Sequence, residues 1–247
     1  MNKYRFSILV VSAALLAPAL SASAQQGDPK DTEVWTPVPA KVTPGNGTAA
    51  PSDAIVLFDG KNLSQWEGEK GGAAPWTISG GAMTVTPKKG GIKTKDSFED
   101  FQLHIEWRAP SVVKGEGQGR GNSGIFLQSN YELQVLDNYD NKTYSNGQAA
   151  SLYKQTIPLV NACKKPGEWQ TYDVVWTAPR FNGDGSLKSP ARITVLHNGI
   201  LVQNNTELLG KTLYIGKPFY EKHGPLPIML QDHGDLVSYR NIWIRKL

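Results

Sequence analysis

The chain contains one cysteine, Cys163, and only four histidines in 247 residues. A lone cysteine excludes an intrachain disulfide, so stability has to come from a buried core. Lys164, Lys165, Pro166 and Gly167 follow it directly with no histidine motif alongside, which reads as a plain loop or strand-end thiol. His104, His197, His223 and His233 show no His-x-His or His-x-x-x-His spacing, so a dedicated zinc site is not expected. Amphipathic helices longer than one or two turns are missing, and past the first 24 residues no apolar run is long enough for a membrane helix. There is no basic stripe either. The net charge of +4 comes from scattered Lys and Arg, two of them Lys3 and Arg5 in an opening segment without acids, and this argues against nucleic acid as a partner.

What the sequence does contain starts with an address. Lys3 and Arg5 precede a short apolar run, Ile8 to Leu20, broken by Ser12 and Pro18, and Ser21-Ala22-Ser23-Ala24 ends it. This is the three-part pattern of a secretory signal peptide over residues 1–24, cut after Ala24, and it implies a periplasmic or secreted product. Residues 25–52 carry Pro29, Pro37, Pro39, Pro44 and Pro51 with Gly27, Gly45 and Gly47 between them, and are expected to form an extended arm. Residues 53–247 are then one domain.

That domain is a succession of short apolar segments punctuated by Gly, Asn, Asp and Pro. Phe101 to Arg108 alternates strictly, with Phe101, Leu103, Ile105 and Trp107 on one face. Gln170 to Trp176 does the same with Tyr172, Val174 and Trp176. Ile193 to His197, then Asn198-Gly199, then Ile200 to Val202 reads as a hairpin closed by a type I′ turn. Ile242-Trp243-Ile244 closes the chain as a last strand. Many short strands without helices predict an all-β fold, two antiparallel sheets packed as a jelly-roll sandwich.

Three segments can carry chemistry. In Tyr131-Glu132-Leu133-Gln134-Val135-Leu136-Asp137 a regular strand points Glu132 and Gln134 to one side and Tyr131, Leu133 and Val135 to the core. Asp137 has the opposite parity, and joins Glu132 only if the strand bulges or ends there. This spacing resembles the Glu-x-Asp-x-x-Glu strand of laminarinase-type glycosidases, with Gln134 where that pattern has an acid and Asp137 where it has the second Glu. An amide orients a partner or a sugar hydroxyl but cannot act as acid or base. In Pro227 to Gly234, alternation pairs Gln231 with His233, and His233 is a general-base candidate because histidine titrates near neutrality without tuning. His104, between Gln102 and Glu106 on a polar strand face, is expected to be solvated. In Tyr239-Arg240-Asn241, Arg240 offers either a clamp for sugar oxygens or a structural ion pair. Arg120, at the end of the Gly115 to Gly121 loop, can reach a ligand, as can Asn122 beside it. A hard divalent cation held by Glu132, Asp137 and carbonyls is one further reading.

Together, several of these segments resemble the 3-keto-disaccharide hydrolase domain family. The motifs are Ile55-Val56-Leu57-Phe58-Asp59-Gly60-Lys61-Asn62-Leu63 with Trp66, Asn122-Ser123-Gly124-Ile125, Tyr131-Glu132-x-Gln134-x-x-Asp137, Glu168-Trp169, Asn198-Gly199, Leu230-Gln231-Asp232-His233-Gly234 and Arg240-Asn241-Ile242. The resemblance implies a concanavalin A-like jelly roll and an exported enzyme that cleaves glycosides already oxidised to a ketone at C3. A C3 ketone acidifies the C2 proton, so a modest base can remove it and expel the C1 substituent, after which water adds to the enone. On that reading His233 or Glu132 is the base and Asp137 its partner or a proton donor, while Arg120, Asn122, Gln134, Gln231 and Arg240 hold the carbohydrate substrate. Two alternatives stand beside it: an ordinary glycosidase using Glu132 and Asp137 as its pair, and a non-catalytic carbohydrate-binding module, since fold does not imply function.

Overall fold

The computed structural model describes residues 27–247, so the signal-peptide segment lies outside the described residues. The chain divides into two compact units, Met1–Lys41 and Val42–Leu247. In the first, a short 3-10 turn spans Pro29–Thr32, started by Asp28, whose carboxylate accepts from the Lys30 amide at 3.0 Å. The second unit begins inside the proline-rich stretch and contains every strand.

In chain order the strands are β1 (Ile55–Phe58), β2 (Trp66–Gly68), β3 (Thr77–Ser79), β4 (Ala82–Thr84), β5 (Ile92–Thr94), β6 (Phe101–Arg108), β7 (Ser123–Leu127), β8 (Tyr131–Val135), β9 (Gln170–Thr177), β10 (Arg180–Phe181), β11 (Leu187–Ser189), β12 (Arg192–His197), β13 (Ile200–Glu207), β14 (Met229–Leu230) and β15 (Ser238–Lys246). The larger sheet runs β13-β12-β9-β6-β15-β4-β3, with β1 also paired to β15; the smaller runs β2-β5-β14-β7-β8, and β10 and β11 pair with each other as a separate ribbon. All their pairings are antiparallel. Among the described residues no helix is long and apolar enough to cross a membrane.

The period-2 pattern explains the packing. Phe101, Leu103, Ile105 and Trp107 of β6 and Tyr172, Val174 and Trp176 of β9 meet Ile125, Leu133, Val135 and Leu230 of the smaller sheet in one continuous core. This is the expected jelly-roll sandwich. Asn198 and Gly199 both have positive φ, 53° and 80°, as a type I′ turn requires, and His197 pairs with Ile200 across it. Two tyrosines of the larger sheet cross the core to fix the strands opposite. The Tyr172 hydroxyl donates to the Gln134 carbonyl at 2.9 Å, and the Tyr239 hydroxyl donates to Ser123 Oγ at 2.7 Å. Ser123 in turn donates to the Gln231 carbonyl at 2.7 Å, so three residues of the smaller sheet are registered from behind.

His104 departs from expectation. It is buried rather than solvated, because Trp243 stacks on it and Asn241 lies against its other ring nitrogen, both held by Thr48. Its Nδ1 lies 2.6 Å from Asp173 Oδ1, and its ring stacks on Trp243 with centroids 5.3 Å apart. Thr48, from the proline-rich stretch, accepts at its carbonyl from Trp243 Nε1 at 2.9 Å. His197 is also a core residue, packed against Trp107 and Tyr172, and burial pushes its pKa down to about 3. Cys163 is a loop thiol, pushed up to about 12 by burial.

Candidate active site

The outward face of the smaller sheet forms the floor of a cleft of about 610 Å³. Glu132 and Gln134 rise from β8, as alternation requires, opposite Phe126 and Gly124 of β7. Gly124 is there for space: a Cβ at this position would lie 2.5 Å from Glu132 Oε1 and 3.0 Å from the Phe126 ring. Asn122 enters from the loop that leads into β7, and Gln231 and His233 from the segment after β14. Five of the eight expected site residues therefore converge.

Glu132 is only 5 % exposed, and burial pushes its carboxyl up to about 8. Its surroundings explain how the proton is kept. One end of the Gln134 amide lies 3.1 Å from Gln118 Oε1 and 3.3 Å from Asn122 Oδ1; the other end lies 3.0 Å from Glu132 Oε1. Gln118 Nε2 is committed to Thr143 and the Gly147 carbonyl, and Asn122 Nδ2 to the Gln118 carbonyl. The two oxygens that converge on Gln134 thus need its NH2, which turns the Gln134 oxygen toward Glu132. A protonated Glu132 satisfies that oxygen by donating to it. The opposite amide orientation places the NH2 on Glu132 and on the Ser123 carbonyl, 3.2 Å away, and suits the ionised carboxylate instead. The two amide orientations therefore suit the two protonation states of Glu132.

The far wall was not legible in the sequence. Tyr144, Tyr153 and Lys154 come from the long connection between β8 and β9, and Thr212 and Tyr214 from the one after β13. The Tyr144 and Tyr153 hydroxyls lie 2.6 Å apart. Lys154 holds φ of 58°, an unusual left-handed conformation for lysine, and its ammonium donates to the Tyr214 carbonyl at 2.7 Å and sits 4.1 Å from that ring's centroid. The Glu132 amide donates to Thr212 Oγ1 at 3.0 Å, tying this wall to the floor. No hydrophobic period marks these loops; left-handed backbone at Ala150 and Lys154 is what singles the region out.

Three expected residues lie elsewhere. Asp137 falls beyond the end of β8 and keeps the opposite parity, so it faces a neighbouring cleft. There its Oδ2 accepts from Arg120 Nε at 2.7 Å and its Oδ1 from the Tyr139 amide at 3.2 Å. Arg120 also donates to the Asp140 carbonyl at 2.9 Å. Arg240 lies on the larger sheet, where its Nε donates to Glu106 Oε2 at 2.6 Å and its guanidinium stacks on Trp169. Glu132 and Asp137 consequently do not form a common ligand set for a hard cation. Among the described residues no cluster of three or more His, Cys, Asp or Glu is arranged to hold a metal.

The comparisons with known proteins agree with this architecture. Residues 53–245 match the family model described as the 3-keto-alpha-glucoside-1,2-lyase-like domain. The chain belongs to this family. A 3-keto-disaccharide hydrolase from Bacteroides thetaiotaomicron is 30 % identical over 242 residues, covering 78 % of each protein. A crystal structure from Parabacteroides distasonis, named a "putative glycosyl hydrolase", superposes with a TM-score of 0.87 at 55 % identity, over 89 % of this chain and 97 % of its own. A second structure of the same name from that organism, 21 % identical over 79 % of this chain and 94 % of its own with a TM-score of 0.58, shares the fold. The family membership identifies the chain as a carbohydrate-active hydrolase on a jelly roll.

Proposed function

We propose that the protein cleaves glycosides carrying a ketone at C3 by removing the C2 proton and expelling the C1 substituent, and that it does so outside the cytoplasm. The observation that carries this reading is that Glu132 is the only carboxyl lining the cleft among the described residues. Hydrolysis of an unoxidised glycoside normally uses two carboxyls about 5–9.5 Å apart. Here the second, Asp137, is bound to Arg120 in another cleft. One proton-transferring group is enough when the ketone makes the substrate a carbon acid.

Glu132 carboxylate takes the C2 proton, and the electron pair of the C2–H bond forms an enolate with its charge on the C3 oxygen. The enolate then reforms the ketone, C1=C2 becomes a double bond, and the C1–O bond breaks. The departing alkoxide leaves with a proton. Addition of water, hydroxyl to C1 and hydrogen to C2, completes a net hydrolysis. A family model described as lyase-like and a relative named hydrolase are both compatible with elimination followed by hydration. Burial strengthens Glu132 as a base, since a carboxylate titrating near 8 holds a proton more firmly than an ordinary one. Lys154, the one Lys or Arg lining the cleft among the described residues, supplies positive charge near the developing enolate. His233 is exposed at the mouth, a position suited to proton exchange with the leaving group or with solvent. The leader pattern of residues 1–24 supports an extracytoplasmic site of action.

The test is release of a phenol from its 3-keto-glucoside and from the unoxidised parent. Release from the keto form alone is expected. Equal release from the parent would replace this reading with ordinary glycoside hydrolysis.

A further inference from the structure

The second cleft, of about 700 Å³, shares two chain segments with the first, which form a ridge between them. Two segments build the ridge, residues 119–122 and 233–235, and each contributes to both sides: Asn122 and His233 face the first cleft, Gly121 and Asp235 the second. They are clasped where the Asn122 amide donates to Asp235 Oδ2 at 2.8 Å. A ligand whose sugar sits over Glu132 can therefore extend across the ridge into the second cleft.

The lining there differs in kind from the sugar cleft. Val112, Val113 and Leu236 line it with exposed apolar side chains, 67 %, 47 % and 54 % accessible. Its charged groups are unequally matched. Arg120 is neutralised by Asp137, and Asp235 is engaged by the Asn122 amide. Arg108 is half-buried with its guanidinium 4.6 Å from the Trp169 ring centroid, and among the described residues it has no carboxylate partner; Lys114 has none either. Arg240, stacked on the same indole, is already paired with Glu106. A guanidinium held by stacking, with its N–H edges uncommitted beside apolar side chains, suits an anion carried on an apolar body.

Resting on the proposed cleavage, we infer that the second cleft is the leaving-group subsite and selects aglycones with an apolar, ring-like body and an acidic substituent, read by Arg108 and Lys114. The probes are the 3-keto-glucosides of 4-carboxyphenol and of 4-carbamoylphenol, which differ chiefly in charge. Dissociation constants are measured by calorimetry on the full chain carrying Glu132→Gln, so that binding is read without turnover. The carboxylate ligand is expected to bind about tenfold more tightly at low salt. That preference should shrink as ionic strength rises, and should fall to about twofold or less in Arg108→Met and partway in Lys114→Met. Equal affinities for the two ligands, or a preference that survives both substitutions, would overturn the assignment. Phenol release by the unsubstituted protein is followed separately. Its absence would remove the proposed reaction and leave the binding result to decide the subsite.

Discussion

Two glutamates on two sheets are buried to the same 5 % exposure and behave in opposite ways. Glu106 on β6 accepts from Asn241 at 2.9 Å, from Thr48 at 3.0 Å and from Arg240 at 2.6 Å. Burial alone would raise its pKa, but these hydrogen bonds and the Arg240 charge outweigh it and hold the carboxyl below its ordinary value. Glu132 on β8 has neither an arginine nor a lysine paired with it, and burial pushes it up to about 8. Equal exposure does not make them equal: Glu132 is packed deeper in protein, and only Glu106 has an arginine on its carboxylate. The outer face of the larger sheet surrounds its carboxylate with donors, as a structural cluster must. The cleft supplies no charged partner, leaving a carboxyl that burial makes hold its proton well above the ordinary range.

The contrast can be broken from either side. The largest effect is expected from Glu132→Gln, which should lower turnover of a 3-keto-glucoside by about a thousandfold or more, measured as phenol release. The same substitution should stabilise the fold. The folded state keeps the Glu132 proton up to about pH 8, while the unfolded chain loses it at the ordinary carboxylate pKa of 4.5. Between those values the folded state binds more protons, so stability falls as pH rises through the window. The advantage of Glu132→Gln in Tm should thus be small at pH 5 and largest at pH 8, which paired thermal melts would show. Gly124→Ala should come next. Its Cβ meets Glu132 Oε1 at 2.5 Å, and the displaced carboxyl should cost about a hundredfold in kcat with little change in Tm.

On the other sheet the expectation reverses. Glu106→Gln leaves Arg240 without its partner and should cost about 2 kcal/mol of stability, since Arg240 is partly solvated, without changing kcat of the folded protein. Denaturant titration with activity measured below the transition separates the two effects. Among the cleft substitutions His233→Ala should be the mildest, within about tenfold in kcat, because an exposed side chain at the cleft mouth can be replaced by solvent.

The sequence displayed the sandwich well, for a definite reason. Strands β6, β9 and β12 bury one face in the core, so their side chains obey a period of two that survives in the sequence. The Asn198-Gly199 turn was legible because both residues tolerate positive φ. The same periodicity placed Glu132 and Gln134 together. It also set Asp137 apart by parity, and the end of β8 did not bring it back to Glu132. His104 looked solvated because alternation reports which face a residue takes, not what later covers that face. Tyr144, Tyr153 and Lys154 were invisible because an irregular connection has no period, and its shape is set by contacts such as the Lys154 amide donating to the Asn146 carbonyl at 2.7 Å.

The most direct measurement is the pH dependence of kcat/KM for a 3-keto-glucoside, in the unsubstituted protein, Glu132→Gln and His233→Ala. If Glu132 is the base, kcat/KM rises with pH to a plateau with a midpoint near 8, keeps that limb in His233→Ala, and loses it with most of the activity in Glu132→Gln. A rising limb that vanishes in His233→Ala and survives in Glu132→Gln would contradict this account and move the chemistry to the cleft mouth.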